Sequence, residues 1–457
     1  MPEGKNRAVV LGASMAGLLT AAVLSRTYDS VTLVERDVLP TSPAHRRGVP
    51  QSRHTHALLA SGVRQLEEFL PGLADEAVAA GAHQGDLLGN IRWIINGHRL
   101  RRMDIGQPML FCGRHLLEDL VRTRVRALPG VEFADGRDVI ELTATADRRR
   151  VTGVRVGAQG AEDQALTADL VVDTTGRASR MPRWLTDLGY EPAPVERMAV
   201  DVGYSTRRYR FPEGFLGEDR LVLLGWTPDN PRAAGMVALE DGTHFVTLAG
   251  LLGDHPPTDP DEFTDFAETL QFPDVIDAMR AGEPLDDPVA FRYPANVRHH
   301  YEQVRDFPDG LLVLGDAVCA FNPLYGQGMT SAALQAAALG RVLADGGKPD
   351  WRTYFKAAAA AVNDAWDITT ASDLVFPGVP GKRTPRVRVI NAYLARLHAA
   401  AETDPSLSEA FVRVTGLIAP PQSLLRPDRA VKVLLHGGRS VGPGPRTGVP
   451  TPEKVRP

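Results

Sequence analysis

Two glycine-bounded turns, far apart in the chain, have the residue types that bind the phosphates and sugars of a nucleotide. The first turn, GASMAG, runs from Gly12 to Gly17 between an apolar segment and a helical one. Its outer glycines allow a tight exit from a strand and close helix packing, and Ser14 between them has a hydroxyl that can donate to a phosphate. Glu35 ends the next apolar segment, at the distance expected of a ribose-binding acid. These residues predict a site for an unphosphorylated adenosine ribose, as in FAD or NAD.

The second turn lies in residues 311–330, LLVLGDAVCAFNPLYGQGMT. An apolar strand delivers Asp316 at its carboxyl end, where ligands bind in open α/β sheets, and Gly326 and Gly328 precede a helix. An aspartate beside a glycine can also simply cap a turn. Two glycine-lined strand-to-helix junctions in one chain favour a shared flavin cofactor. One junction would serve the pyrophosphate, and the other would hold the ribityl chain through Asp316 and direct amides at the ring.

The elements around the first turn predict a β-α-β unit, with strands at 8–11 and 31–35 and a helix at 14–25. Helical spacing of leucine and valine predicts further helices over 56–70 and 113–128. Alternation around Asn96-Gly97 predicts a hairpin within 92–103. Segments 131–145 and 151–156 are predicted to pair as strands.

Short β-like runs between proline-rich turns predict a second, sheet-rich domain after about residue 182, and a helical region follows from about 348 to 418. The predicted fold class is α/β with an α+β second domain: a Rossmann-like FAD-binding domain with a parallel sheet, interleaved with a sheet-rich substrate domain. The predicted divisions are 1–85, 104–181 and 295–347 for FAD, 86–103 and 182–294 for substrate, 348–436 for the C-terminal helices, and 437–457 for a disordered tail. The C-terminal helices are expected either to cover the active site or to form a dimer face.

Composition excludes several other classes of protein. The formal net charge of −5 gives no basic surface for nucleic acid. Cys112 and Cys319 fit no metal-ligand spacing, and His54 and His56 have no third ligand nearby, so no metal site is predicted. The chain has no secretory signal and no run near the roughly 20 apolar residues that span a bilayer, so a cytoplasmic protein without an integral membrane segment is expected.

Four motifs together resemble the group A flavoprotein monooxygenase superfamily, the fold of p-hydroxybenzoate hydroxylase and squalene epoxidase. They are the two turns, GRHLLEDLVR at 113–122, and VVDTTGRASRMPRWL at 171–185. The resemblance covers about residues 6–345. Within the superfamily, GVPQSRHTHALLASG at 48–62 and GDAVCAFNPLYGQGM at 315–329 are similar to the bacterial epoxidase branch that acts on polyether polyketide precursors.

The resemblance implies a set of cofactor-binding residues in this chain. They are Gly12, Ser14, Met15, Ala16, Gly17, Glu35, Arg36, Arg47, Arg114, Gly315, Asp316, Pro323, Gly326, Gln327, Gly328 and Met329. The first turn would hold the pyrophosphate and Glu35 the adenosine ribose. Arg36 would lie near the adenine, although it can equally be a solvated surface residue.

Other roles follow from the same resemblance. Arg47 and Arg114 would contact the cofactor, although Arg114 can also be a surface residue, and Asp316 would hold the ribityl chain. Residues 326–329 would face the pyrimidine side of the flavin ring. Trp93, Tyr204, Trp226 and Phe291 are candidates for the substrate pocket, with core packing as the alternative for each.

The activity implied is insertion of one oxygen atom of O2 into an apolar substrate through a flavin C4a-hydroperoxide, in secondary-metabolite biosynthesis. Epoxidation of an alkene needs no general base, whereas hydroxylation of a phenol benefits from one. No residue is identified as such a base, which favours epoxidation. The catalytic residues therefore stay unknown.

One motif departs from the superfamily, which usually has Asp-Gly where this chain has Thr175-Gly176. That motif is tied to both FAD and NADPH, so the electron donor is predicted to be NADPH or NADH acting either directly or through a separate flavin reductase. Alternatives of the same fold are a halogenase, a reductase or cyclase, and a lipid-escort protein without flavin. Halogenases carry a paired-tryptophan motif, of which only Leu224-Gly225-Trp226 is present.

Overall fold

Valine- and leucine-rich segments form strands, and alanine-rich or amphipathic segments form helices, in the computed structural model, which describes residues 6–158, 160, 162–344 and 349–436. The strands are β1 (Arg7–Leu11), β2 (Ser30–Val34), β3 (His83–Asp86), β4 (Ile91–Ile95), β5 (His98–Arg99), β6 (Pro108–Phe111), β7 (Val131–Ala134), β8 (Asp138–Ala144), β9 (Val151–Gly157), β10 (Gln164–Thr167), β11 (Leu170–Asp173), β12 (Val195–Arg210), β13 (Leu221–Leu224), β14 (Arg232–Ala238), β15 (His244–Gly250), β16 (Glu283–Pro284), β17 (Val289–His299), β18 (Leu311–Val313) and β19 (Cys319–Ala320). The predicted tail, 437–457, lies outside the described residues.

The helices follow the same chain order. They are α1 (Met15–Leu24), α2 (Ala60–Phe69), α3 (Leu73–Ala79), α4 (Arg114–Arg126), α5 (Met181–Leu188), α6 (Pro260–Glu268), α7 (Asp274–Ala281), α8 (Gly328–Ala344), α9 (Trp351–Asp373), α10 (Pro385–Ala401), α11 (Pro405–Thr415) and α12 (Pro427–Leu435). None of these helices is both long enough and apolar enough to cross a lipid bilayer.

A five-stranded parallel sheet in the order β18-β11-β1-β2-β7 carries both predicted nucleotide turns. Leu11, at the end of β1, lies beside Val34 on one side and Asp173 on the other, and Asp173 lies beside Val313 of β18. The carboxyl ends of four strands therefore meet at one edge. Helices α1 and α8 pack against each other on this sheet and bury its apolar side chains. This arrangement confirms the predicted α/β class.

A second, larger sheet has the order β19-β17-β12-β15-β14-β13-β4-β5, with β16 paired to β12, and most of its pairs are antiparallel. The predicted hairpin is present in it: Asn96 and Gly97, with φ of +50° and +80°, connect β4 and β5. Both residues have the positive φ that a two-residue hairpin turn requires. β17 runs across residues 294 and 295, where the two domains were predicted to divide.

Two sequence predictions of secondary structure were wrong in part. Residues 131–145 are not one strand, because a turn at Gly136, with φ of +67°, separates β7 from β8. β7 joins the parallel sheet beside β2, whereas β8 pairs with β9, which pairs on its other edge with β10. The helix predicted from residue 56 begins at Ala60, because Leu59 is extended and its amide donates to Thr330 Oγ1. The sheet-rich region also contains α5, α6 and α7.

The C-terminal part of the chain is helical, as predicted, and it is not separate from the rest. α9 packs along α8 of the parallel sheet. α11 and part of α10 bury their apolar side chains in a cluster with β4, β13 and β15 of the large sheet. The helices therefore close the space between the two sheets.

Candidate functional site

One cavity of about 1000 Å³ lies between the carboxyl edge of the parallel sheet, the face of the large sheet and the C-terminal helices. Its wall contains the sequence-predicted residues Gly12, Ser14, Met15, Ala16, Glu35, Arg36, Arg47, Arg114, Asp316, Pro323, Gly326, Gln327, Gly328, Met329, Trp93, Tyr204, Trp226 and Phe291. Gly17 and Gly315 are not part of the wall but lie directly behind it. The structure thus brings together residues from both glycine turns and from the sheet-rich region.

The first turn depends on two glycines for different reasons. Gly12 has φ of +96°, and a Cβ atom there would lie 3.0 Å from the carbonyl oxygen of Thr174. A Cβ atom on Gly17 would lie 1.8 Å from the carbonyl oxygen of Gly12, closer than any non-bonded contact allows. Gly17 therefore lets α1 pack against the turn, and Gly12 lets the chain leave β1 so sharply.

The amino terminus of α1 faces the cavity without a side-chain cap. Ser14, at the capping position, instead donates its hydroxyl to Glu118 Oε2 at 3.0 Å and accepts from Arg114 Nη2 at 3.0 Å. The first-turn amides are therefore free of side-chain caps. Uncapped amides, the helix dipole and a nearby guanidinium suit an anionic group such as a pyrophosphate. The hydroxyl of Ser14 positions Arg114 here.

Glu35 belongs to a buried charge cluster that the sequence did not reveal. Its Oε2 accepts from the amide of Ala13 at 2.8 Å and lies 3.3 Å from Arg46 Nη1. Arg46 also donates through Nε to Glu118 Oε1 at 2.9 Å. Burial opposes the charge on Arg46, but Glu118 and Glu35 raise its pKa above the ordinary value. Arg47, the predicted cofactor residue, is exposed on the cavity wall next to this cluster.

The second turn meets the first at the bottom of the cavity. A Cβ atom on Gly315 would lie 2.8 Å from Ala16 Cβ, so the two turns are in contact. Asp316, the next residue, is on the wall, and a Cβ atom on Gly328 would lie 3.8 Å from its Oδ1. Burial raises the pKa of Asp316, while the positive charges of Arg177 and Arg114 oppose that rise.

The turn after β11 holds its own aspartate away from the cavity. Asp173 is fully buried, and its Oδ1 accepts from the amide of Thr175 at 2.9 Å and from its hydroxyl at 2.6 Å. Ser179 donates to Oδ2 at 2.5 Å. Burial raises the pKa of Asp173, and these hydrogen bonds oppose it. Thr175 and Gly176, rather than a carboxylate, therefore line the cavity here.

The large sheet supplies an apolar wall. Tyr204 and Phe291, paired across β12 and β17, stack with ring centroids 5.2 Å apart. Trp226 lies edge-on to Tyr325, with centroids 5.8 Å apart, and Trp93 donates its indole N–H to the Leu87 carbonyl at 3.0 Å. Among the described residues of this sheet, those on the wall carry no charged side chain.

A chain of hydrogen-bonded neutral side chains lies beside this apolar wall. His54 Nδ1 lies 2.8 Å from Thr206 Oγ1, Thr206 lies 2.6 Å from Thr247 Oγ1, and Thr247 donates to Thr55 Oγ1 at 2.8 Å. His56 Nδ1 donates to the carbonyl of His54 at 2.9 Å. Burial lowers the pKa of His54 to about 4 and that of His56 to about 3, so both rings are neutral near pH 7.

Several wall residues were missed by sequence reasoning. Arg177 lies over the rings of Phe291 and Tyr293, at 5.3 and 5.1 Å from their centroids. It lies in the TTGRAS segment, within the motif at 171–185, where an arginine could have been predicted to bind an anionic ligand. Ile368 of α9 and Thr415 of α11 also reach the wall, and no local pattern in those helices predicts that contact.

The described part of the chain contains no cluster of metal-binding side chains. No group of three His, Cys, Asp or Glu side chains is arranged there to hold an ion. Cys112 and Cys319 are both buried and free.

Comparisons with known proteins agree on one fold. A family model described as "FAD binding domain" matches residues 5–348. Protein Rv3254 of Mycobacterium tuberculosis is 34% identical over 431 residues, covering 91% of this chain and 90% of that protein. Kynurenine 3-monooxygenase of Salinispora tropica is 28% identical over 386 residues, covering 80% of this chain and 79% of that enzyme.

Solved structures extend the same likeness. The flavin-dependent brominase Bmp2 has a TM-score of 0.64 at 18% identity, covering 90% of this chain and 92% of that one. The p-nitrophenol 4-monooxygenase PnpA of Pseudomonas putida has a TM-score of 0.63 at 17% identity, covering 91% and 98%. At such identities these two structures establish a shared fold and no more.

Proposed function

The chain belongs to the FAD-binding domain family of flavin-dependent monooxygenases, and from that premise we propose that it inserts one oxygen atom of O2 into an apolar organic substrate. The predicted resemblance to the group A superfamily is thereby confirmed. The observation that carries the proposal is one cavity that joins the two glycine turns to an apolar aromatic wall.

The residues on the nucleotide side fit FAD. The uncapped start of α1 and the exposed guanidinium of Arg47 suit the pyrophosphate, and the carboxylate of Glu35 suits the adenosine ribose. Asp316 would hold the ribityl chain, and residues 326–329 would face the pyrimidine side of the ring. The glycine at 328 keeps space open beside Asp316 that a larger side chain would fill.

FAD, when reduced and bound, supplies the activation of O2 and the transfer of one oxygen atom. The protein has to bind the substrate next to the ring and exclude water. Trp226 and the stacked pair Tyr204 and Phe291 would form the apolar surface for the substrate, with Trp93 farther along the same sheet. Each of these aromatic residues packs in or against an apolar cluster, and each also contributes to the cavity wall.

An alkene is the substrate type that this wall suits best. His54 and His56, the histidines next to the wall, are weak bases here because burial lowers their pKa values to about 4 and about 3. Epoxidation needs no base, whereas hydroxylation of a phenol gains from one. We therefore propose epoxidation, in secondary metabolism as the family resemblance implies, with hydroxylation as the second outcome of the same oxygen transfer.

We propose that the domains divide as the sequence predicts. Residues 1–85, 104–181 and 295–347 would form the FAD-binding part, residues 86–103 and 182–294 the substrate-binding part, and 348–436 a helical cover. NADPH or NADH is the proposed source of electrons, directly or through a separate flavin reductase.

The experiment begins with the purified full-length chain, which should be yellow and release FAD on denaturation. After photoreduction under anaerobic conditions, ¹⁸O2 free of air and a set of apolar polyenes are added, and the products are analysed by mass spectrometry. One ¹⁸O atom per product molecule is the expected result. Reoxidation without any label in product, over a broad substrate set, would contradict oxygen transfer.

The variant Asp316→Ala tests the cofactor assignment separately. Loss of a hydrogen bond to a charged acceptor costs about 1.5–3 kcal/mol, so the Kd for FAD should rise roughly tenfold to a hundredfold. The exposed Asp367→Ala serves as the control. Unchanged FAD affinity in Asp316→Ala would remove the role given to this residue.

A halogenase of the same fold is the main alternative, and no observation at the site favours it. Halogenases of this fold carry a catalytic lysine. Lys356, Lys382 and Lys432, which the structure describes, are exposed and away from the cavity wall. The likeness to the brominase Bmp2 concerns the fold alone. A reductase or cyclase would give product without label from ¹⁸O2, and a lipid escort would lack the yellow cofactor.

A further inference from the structure

Asp373, the last residue of α9, is a buried carboxylate surrounded by neutral hydrogen-bond donors. Its Oδ1 accepts from Asn322 Nδ2 at 3.0 Å and from the hydroxyl of Tyr325 at 2.8 Å. Its Oδ2 accepts from Asn296 Nδ2 at 2.6 Å. Asp373, Asn296 and Asn322 are completely buried. Burial destabilises a charged carboxylate, and the three hydrogen bonds offset part of that cost.

The three donors come from two separate parts of the site. Asn296 lies on β17 of the large sheet, whereas Asn322 and Tyr325 belong to the loop that leads to α8. Tyr325 is on the cavity wall, as are its neighbours Pro323 and Gly326. Asp373 therefore ties the loop proposed to face the flavin ring to the sheet proposed to bind the substrate.

A second contact from the same face of α9 reaches this loop. Thr369 precedes Asp373 by four residues, so the two side chains project from one side of the helix. The hydroxyl of Thr369 donates to Gln327 Oε1 at 3.0 Å, and both side chains are buried. Thus α9 contacts the loop at Asn322, Tyr325 and Gln327, on both sides of Gly326.

We propose that Thr369 and Asp373 are positioning residues for the cofactor, and that α9 fixes the loop 322–328 in the shape that binds FAD. Both residues lie beyond residue 348, where the match to the family model ends. The cofactor site would then be incomplete without the C-terminal helices. This inference rests on the proposed assignment of the loop to the flavin.

A neutral amide at position 373 should preserve the anchor. The Oδ1 of Asp373→Asn can still accept from Asn322 and Tyr325. Its Nδ2 can donate to Asn296 Oδ1, an atom that has no partner in the described structure, once the Asn296 amide turns over. Asp373→Ala has no acceptor and releases all three donors. The two variants therefore separate loss of the hydrogen bonds from loss of the charge.

The test measures FAD affinity and the visible spectrum of bound flavin in full-length variants reconstituted with FAD. Asp373→Ala and Thr369→Val should each raise the Kd for FAD, about tenfold or more for Asp373→Ala, and blur the fine structure of the flavin band. Asp373→Asn should stay within about threefold of wild type, as should the control Asp367→Ala, an exposed position on the same helix.

Gly328→Val separates failure of this inference from failure of the loop assignment, because its side chain would enter the space beside Asp316. If Gly328→Val binds FAD normally, the loop does not face the flavin, and the proposed function fails at this point. If Gly328→Val loses FAD while Asp373→Ala and Thr369→Val keep wild-type affinity, the role of α9 is wrong. Should Asp373→Ala not fold, Thr369→Val and the near-normal affinity expected of Asp373→Asn decide the question.

Discussion

At the scale of single residues, Arg46 and Arg47 are neighbours with opposite surroundings. Arg46 is buried between Glu35 and Glu118, with Asp37 at 3.7 Å, whereas Arg47 is exposed on the cavity wall. The sequence HRRGV offers no periodic signal to separate them, so only Arg47 was predicted as a cofactor residue. Arg46 is oriented by three carboxylates, of which Glu35 and Asp37 follow β2 and Glu118 lies on the distant helix α4.

This difference predicts opposite effects of two matched substitutions. Arg46→Met removes the positive charge that pairs with the buried carboxylates of Glu35 and Glu118, and should lower the free energy of unfolding by about 3–5 kcal/mol. Arg47→Met should change that free energy by about 0.5 kcal/mol or less but weaken FAD binding. Urea unfolding of the FAD-free proteins and FAD titration measure the two quantities. Equal unfolding free energies for the two variants would contradict the buried-cluster interpretation.

At the scale of elements, the local patterns were predicted well. The strand, glycine turn, helix and strand of residues 7–34, and the helix that begins at Gly328, were all found in the sequence. Each depends on neighbours in the chain, on glycine where side chains would clash, and on a regular apolar period. The Asn96-Gly97 hairpin is predictable for the same reason.

Pairing between distant segments was not predictable in this way. Val131–Ala134 has the composition of a strand, but the sequence does not say that it pairs with β2 rather than β9. The contacts of α9 with the loop before α8 join residues 42 and 48 positions apart in the chain. Such contacts follow from how whole elements pack, and a single sequence records them only weakly.

The turn between β1 and α1 predicts a measurable steric effect. In Gly17→Ala the new Cβ atom would lie 1.8 Å from the Gly12 carbonyl oxygen, so α1 must move away from the turn. Unfolding free energy should fall by about 1–3 kcal/mol, and FAD affinity should fall with it. In the control Gly340→Ala, on α8, the nearest atom is Val23 Cγ1 at 3.3 Å. That atom is the end of a side chain, so Gly340→Ala should be much less destabilising than Gly17→Ala, and equal effects of the two variants would refute the packing argument.

At the scale of the whole molecule, Asp373 links stability to pH. Burial raises its pKa from 3.8 to about 6, so the folded protein retains a proton that the unfolded chain has already released. This raised pKa adds up to about 3 kcal/mol to the free energy of unfolding. The added stability is fully present below pH 3.8 and is lost as pH rises through about 6. Asp373→Asn removes this titration.

The measurement compares urea unfolding of wild type and Asp373→Asn between pH 4 and 7. The stability of the variant relative to wild type should increase with pH up to about 6 and then remain constant. The contributions of the other acidic groups to the pH dependence are the same in both proteins and cancel in this difference. A difference that is flat, or that falls with pH, would show that Asp373 does not carry a raised pKa in the folded state.

We expect the route by which electrons reach the flavin to depend on the turn after β11. Where the superfamily usually has an aspartate, the cavity wall has Thr175, and the nearby Asp173 is fully engaged by Thr175 and Ser179. We therefore expect NADPH alone to reduce the bound flavin slowly, and a flavin reductase with NADPH to reduce it quickly. Anaerobic stopped-flow absorbance of the holoprotein measures both rates.

Thr175→Asp places a carboxylate on the wall near Arg177 and should accelerate reduction by NADPH alone. Fast reduction of the wild type by NADPH, with no gain in Thr175→Asp, would mean that this turn does not control the donor.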